Sequence, residues 1–89
     1  MRQELNYILG EELRFLAIDT RERLRLTQKE MGEKLYMSES SYSDIETGRT
    51  HCSMLSAMLL LTMQDDPKEF LRKAEDKIAK WYEKEMQLV

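Results

Sequence analysis

Several residue types are scarce in this chain, and each scarcity excludes a class of protein. A single cysteine, Cys52, cannot build a disulfide framework, and one cysteine with one histidine cannot supply the four ligands of a structural zinc site. No apolar run reaches the ~18 residues that a membrane span needs, and the N-terminus lacks the pattern of a signal peptide. We therefore expect a cytoplasmic protein with no bound metal and no membrane contact.

Groups for catalysis are equally scarce. The chain has no glycine-rich phosphate loop, no second histidine, and no nucleophile spaced with a base, so we expect neither an enzyme nor a cofactor. Glycine occurs three times and proline once, while no alternating strand pattern of useful length occurs. Glu, Lys, Leu and Met are abundant and 35% of residues are charged. This composition predicts one small all-α domain.

Residues 27–48 predict two short helices joined by a tight turn. Thr27 and Ser38 stand where a hydroxyl can cap a helix N-terminus, and Glu30 completes a capping box with Thr27. Gly48 can take the left-handed conformation that ends a helix. Since only about three residues separate the helices, they are expected to cross at a steep angle.

This segment resembles the Cro and phage-repressor (Xre-type) helix-turn-helix family. The residues that carry the resemblance are Leu26, Thr27, Gln28, Met31, Gly32, Met37, Ser38, Tyr42, Ser43, Ile45, Glu46 and Gly48. The resemblance implies a lambda-repressor-like domain of about five helices over residues 1–66, with its motif at 27–48. It also implies a repressor-like transcriptional regulator that binds double-stranded DNA as a dimer.

The family's binding mode implies roles for individual residues. Helix 39–46 corresponds to the recognition helix, Gln28 and Arg49 would contact phosphate, and Arg21 would form a structural ion pair with Glu46. The full set expected at the DNA is Gln28, Ser38, Glu39, Ser40, Ser41, Ser43, Asp44, Arg49 and Thr50. Serine can bond either kind of base edge, and a carboxylate can accept from cytosine N4.

Some residues depart from the family's pattern. Tyr36 and Arg25 stand where the family often has glycine, so we expect a reshaped turn at Tyr36 and a strained left-handed residue at Arg25. Glu39 and Asp44 would face a polyanion, and the net charge is −3. These charges favour an alternative function: a protein-interaction module on the same fold, such as an antitoxin-like or assembly adaptor that does not bind DNA.

Two helices outside the motif carry further expectations. The first is predicted over residues 3–24, or from Gly10 with residues 1–9 as a separate arm. The fourth, residues 53–63, is apolar almost all round. We expect Met54, Ala57, Met58, Leu61 and Leu60 to face the motif core, and Leu55 and Leu59 to lie on the other side.

The chain ends in an amphipathic helix, predicted over residues 67–89, with Pro67 in its first turn. Trp81 and Tyr82 are large side chains with polar tips, of the kind enriched in interfaces. We expect this helix to make a homodimer, although it could also pack on the fourth helix of its own chain. The expected interface residues are Leu55, Leu59, Leu71, Ala74, Ile78, Trp81 and Tyr82.

Overall fold

The computed structural model describes the backbone of residues 2–87 and the side chains of residues 3–86. Within that range the chain is all-helical, with no strand. The helices are α1 (Arg2–Arg23), α2 (Gln28–Lys34), α3 (Glu39–Glu46), α4 (Met54–Thr62) and α5 (Pro67–Gln87). None of these helices combines the length and apolar character of a membrane span. The predicted all-α fold is confirmed, while the predicted end of the last helix at residue 89 lies outside the described residues.

Three of the helices begin at hydroxyl caps. Thr27, Ser38 and Ser53 precede α2, α3 and α4, and each side-chain oxygen accepts a hydrogen bond from the backbone N–H three residues later. At Thr27 the Glu30 carboxylate accepts from the Thr27 N–H at 2.9 Å, which completes the predicted capping box. These caps satisfy N–H groups that have no partner inside a helix.

Three of the helices end in the same backbone turn. After α1, α2 and α3 the chain passes through a left-handed residue, which is Arg25 (φ 58°), Tyr36 (φ 58°) and Gly48 (φ 81°) in turn. In each turn the following N–H bonds a carbonyl five residues back, as Met37 N does to Gly32 O at 2.9 Å. The reshaped turn expected at Tyr36 is therefore not observed. Its side chain is exposed, so only the backbone carries the strain.

The core lies where α1, the motif helices and α4 meet. Its buried members are Ala17, Met31, Leu35, Tyr42 and Leu60. The prediction for the inner face of α4 was right for Leu60, which is buried, and wrong for Met54 and Met58, which are 84% and 57% exposed. The helix is rotated so that Ser56 and Leu60 are buried and Leu59 packs against the core.

The first helix runs unbroken through Gly10, so the separate arm predicted over residues 1–9 is not observed among residues 2–9, which the structure describes. The glycine has a packing role. A Cβ placed there would lie 2.3 Å from His51 Nδ1, because the imidazole ring rests directly on the α1 backbone. Gly10 thus allows the loop between α3 and α4 to approach α1 closely.

The last helix packs along α1 in the opposite direction. Near its C-terminus, Trp81 Nε1 donates to a Glu4 carboxylate oxygen at 2.7 Å, and further back Lys77 forms an ion pair with Glu12. Ala74, on the same side of α5, is buried. Packing of α5 on α4, which the sequence left open, is not the main contact, since α5 lies mainly against α1.

Candidate nucleic-acid interface

The turn that joins the motif helices α2 and α3 passes close to the backbone of α2. A Cβ on Gly32 would lie 3.0 Å from the Met37 carbonyl oxygen and 3.1 Å from that of Ser38. Across this contact, α3 buries Tyr42 and Ile45 against the core. Its opposite face leaves the predicted Glu39, Ser40 and Ser41 exposed, with Ser43 and Asp44 half-buried.

The C-terminal end of α3 is fixed by the Glu46 carboxylate, which accepts four hydrogen bonds from three side chains. Arg21 Nε and Nη2 donate at 2.6 and 3.2 Å, Gln28 Nε2 donates at 3.1 Å, and the Tyr42 hydroxyl donates as well. We call Glu46 and these three side chains the Glu46 network. It ties α1, α2 and α3 together at one point, and it brings the predicted pair Arg21 and Glu46 into contact.

The electrostatics of the network favour a charged Glu46. Burial disfavours the carboxylate, but hydrogen bonds from Arg21, Tyr42 and Gln28 outweigh it and hold the pKa of Glu46 below its ordinary value of 4.5. Burial, together with the neighbouring carboxylate, raises the pKa of Tyr42. The hydrogen bond to Glu46 raises the pKa of Arg21. The network is therefore an ion pair with a neutral phenol at neutral pH.

A second arginine, which the sequence reasoning missed, holds the same helix end. Arg14 Nη1 donates to the Glu46 carbonyl oxygen at 3.0 Å, and its guanidinium lies 4.6 Å from the centre of the Phe15 ring. A cation at a helix C-terminus complements the helix dipole. The signal was present in the spacing, because Arg14 precedes Arg21 by two helical turns and so shares its face of α1.

The loop after α3 folds back onto that helix. The N–H groups of Arg49 and Thr50 bond the Asp44 carbonyl oxygen at 2.9 and 3.2 Å. The side chains of Arg49 and Thr50 remain exposed. Gln28, expected at phosphate, already uses one amide N–H on Glu46, while its amide still offers a second N–H and an oxygen.

A scan against protein families matches residues 8–59 to a family described as a helix-turn-helix domain, which is more than half of the 89 residues. The chain belongs to the helix-turn-helix domain family. The match includes α2, α3 and the whole Glu46 network. No curated protein and no solved structure matches the chain. The family indicates a DNA-binding regulator in general terms.

The negative charge of this helix-turn-helix protein lies outside its motif region. Between residues 21 and 51 there are six basic and six acidic side chains, so the net charge of −3 comes from the rest of the chain. Within that region Glu46 is neutralised by Arg21. The local balance is therefore more favourable to an anionic partner than the whole-chain charge indicates.

The structure does not bring the expected dimer residues into one surface. In this helix-turn-helix chain Ala74 is buried, Trp81 bonds to α1, and Leu59 packs against the core. Leu71 and Tyr82 are exposed on α5, and Leu55 is exposed on α4. Any interface must therefore use only part of the predicted set.

Proposed function

We propose that this helix-turn-helix protein is a sequence-specific DNA-binding regulator of the Cro and repressor type, which acts as a dimer. The observation that carries the proposal is the placement of α3. Its inner face is buried, its end is fixed by two arginines of α1, and its outer face presents small polar side chains. A rigid helix with short outward side chains can approach base edges in a major groove.

Each part of the surface has a role in the proposal. Ser40 and Ser41 face base edges, and Glu39 accepts a hydrogen bond from cytosine N4. Arg49 and the free part of the Gln28 amide contact phosphate on either side of the helix. Phosphate contacts set affinity and register, while base contacts set sequence preference.

The proposal is tested by selecting DNA sequences from a random pool and measuring affinity as a function of salt. Arg49→Ala should weaken binding to all selected sequences alike and lower the slope of log affinity against log salt by about 0.9, the effect of one lost phosphate contact. Ser40→Ala should change base preference at one position and leave the salt slope unchanged. Lys68→Ala, an exposed cation of α5, is the matched control and should change neither quantity.

One observation favours the alternative of a protein-interaction module. The exposed Glu39 stands at the first position of α3, where a carboxylate repels the DNA backbone. Absence of binding to any sequence at low salt would overturn the DNA proposal in favour of this one. If the DNA proposal is correct, Glu39→Gln should strengthen non-specific DNA binding.

A further inference from the structure

The last helix exposes an apolar row that does not face the rest of its own chain. Leu71, Tyr82 and Met86 are between 52% and 74% exposed, although each is a large apolar side chain on an otherwise charged helix. Glu75 interrupts the row. We call Leu71, Tyr82 and Met86 the outer row of α5.

The outer row has a fixed direction relative to the contact with α1. At about 100° of rotation per residue, it is centred about 100° from Ala74 and Trp81, the side chains that face α1. A helix in a four-helix bundle has this arrangement. The two faces that contact its neighbours point in nearly perpendicular directions around its own axis. In the single chain only one of those two neighbours is present.

Two residues of opposite charge lie beside the outer row, where they can pair between two copies of the chain. Arg72 and Glu83 lie on the same flank of the row, only about 20° apart around the helix. Neither forms an ion pair with another of the side chains described between residues 3 and 86. Two antiparallel helices related by a two-fold axis bring the same flank of each together, so Arg72 of one copy meets Glu83 of the other.

We propose that two copies of this chain pair through α5 in antiparallel orientation, with the two-fold axis near Ile78. Leu71 of one copy then lies between Tyr82 and Met86 of the other. The Tyr82 hydroxyl comes close to Glu75 of the other copy and gives that carboxylate a donor. The inference rests on the dimer of the proposed function and specifies its interface, orientation and register.

The size of this contact predicts a weak dimer. From Leu71 to Met86 the row spans about 22 Å along the helix. A stripe of that length buries less than the ~800 Å² per partner of a standard interface. We therefore expect a dimer whose population depends on concentration in sedimentation experiments.

The register is tested by disulfide cross-linking in the full chain. Ala79 is exposed and near the proposed axis, whereas Lys80 is exposed on the side of α5 that points away from it. Each is replaced by cysteine in a Cys52→Ser background. Ala79→Cys should form a covalent dimer under mild oxidation at least tenfold faster than Lys80→Cys. Equal rates, or no cross-link at concentrations where the chain sediments as a dimer, would overturn the proposed pairing.

A charge exchange gives a second test that does not depend on the cross-link. Arg72→Glu and Glu83→Arg should each weaken the dimer roughly tenfold, since each turns two attractive pairs per dimer into repulsive ones. The double variant should restore the original dissociation constant. Failure of the double variant to restore it would exclude the proposed register. Both tests are run without DNA and concern only the pairing through α5. If they fail while selection from the random pool still yields a preferred DNA sequence, this pairing is wrong and the proposed DNA-binding function stands.

Discussion

The Glu46 network allows the cost of a single substitution to be worked out from its geometry. Glu46→Gln keeps the size of the side chain but removes the charge that Arg21 neutralises. Arg21→Met removes the other partner and leaves the carboxylate with two neutral donors. The side chains of Glu46 and Arg21 are only 8% and 21% exposed, so neither charge can be fully rehydrated.

The expected magnitude lies below that of a fully buried pair. Breaking such a pair costs roughly 3–5 kcal/mol. Because the Arg21 side chain is partly exposed to solvent and also donates to the Leu26 carbonyl, we expect about 2–3 kcal/mol for Glu46→Gln. Arg21→Met should cost a similar amount, since the Tyr42 and Gln28 donors remain. The double variant should recover at least ~1 kcal/mol relative to additivity.

The assay is urea unfolding followed by circular dichroism, with linear extrapolation to water. The matched control is the exposed pair Arg23 and Asp19, whose closest atoms are 4.0 Å apart. The cycle of Arg23→Met with Asp19→Asn should give a coupling below about 0.5 kcal/mol. Coupling at Glu46 no larger than this control value would refute the reasoning.

The same variants predict a dependence on pH. The folded-state pKa of Glu46 is lowered, so its contribution to stability is complete above the ordinary value of 4.5 and is lost as the pH falls through the folded value. Below that pH, the free energy of unfolding should therefore fall more steeply with decreasing pH for the natural chain than for Glu46→Gln. If the free energies of unfolding of the two proteins change in parallel as the pH falls, the charged carboxylate is not stabilised by folding.

Two further predictions concern backbone positions. Tyr36→Gly should stabilise the fold by about 1 kcal/mol, because glycine takes the left-handed conformation of this position without strain. Tyr36→Ala removes the same exposed ring but keeps a Cβ, so it should not stabilise the fold. Equal effects of the two substitutions in thermal unfolding would contradict this. Gly10→Ala should gain the usual ~1 kcal/mol of a helix interior only when His51 is also replaced by Ala, because the added Cβ otherwise meets the imidazole ring. A gain of the same size with His51 intact would show that the ring moves away freely.

The sequence predicted those features that depend on short-range rules. The caps at Thr27 and Ser38 and the left-handed Gly48 follow from residue type and spacing within one turn, and the structure shows all three. The resemblance placed Arg21 beside Glu46. Tyr42 was predicted only as an apolar position, because nothing in the spacing shows that its hydroxyl reaches the same carboxylate.

The sequence could not predict features set by packing between distant segments. An almost uniformly apolar α4 has no polar face to orient it, so Met54 and Met58 were assigned to the wrong side. Gly10 indicated a break when read locally. Glycine stands at this position because the ring of His51, 41 positions away in the chain, packs against the α1 backbone there. The direction of α5 along α1 likewise depends on pairs such as Trp81 with Glu4.

The bond between Trp81 and Glu4 also determines what an optical measurement on this protein reports. Trp81 is the only tryptophan of the chain, and it lies at the far end of α5, outside residues 8–59 and remote in sequence from α3. Its fluorescence therefore reports on the seating of α5 against the first turns of α1, while circular dichroism reports on all five helices. If the two unfolding curves coincide, the terminal helices and the motif unfold as one cooperative unit. If the fluorescence transition comes first, the end of α5 detaches while the motif that would contact DNA is still folded.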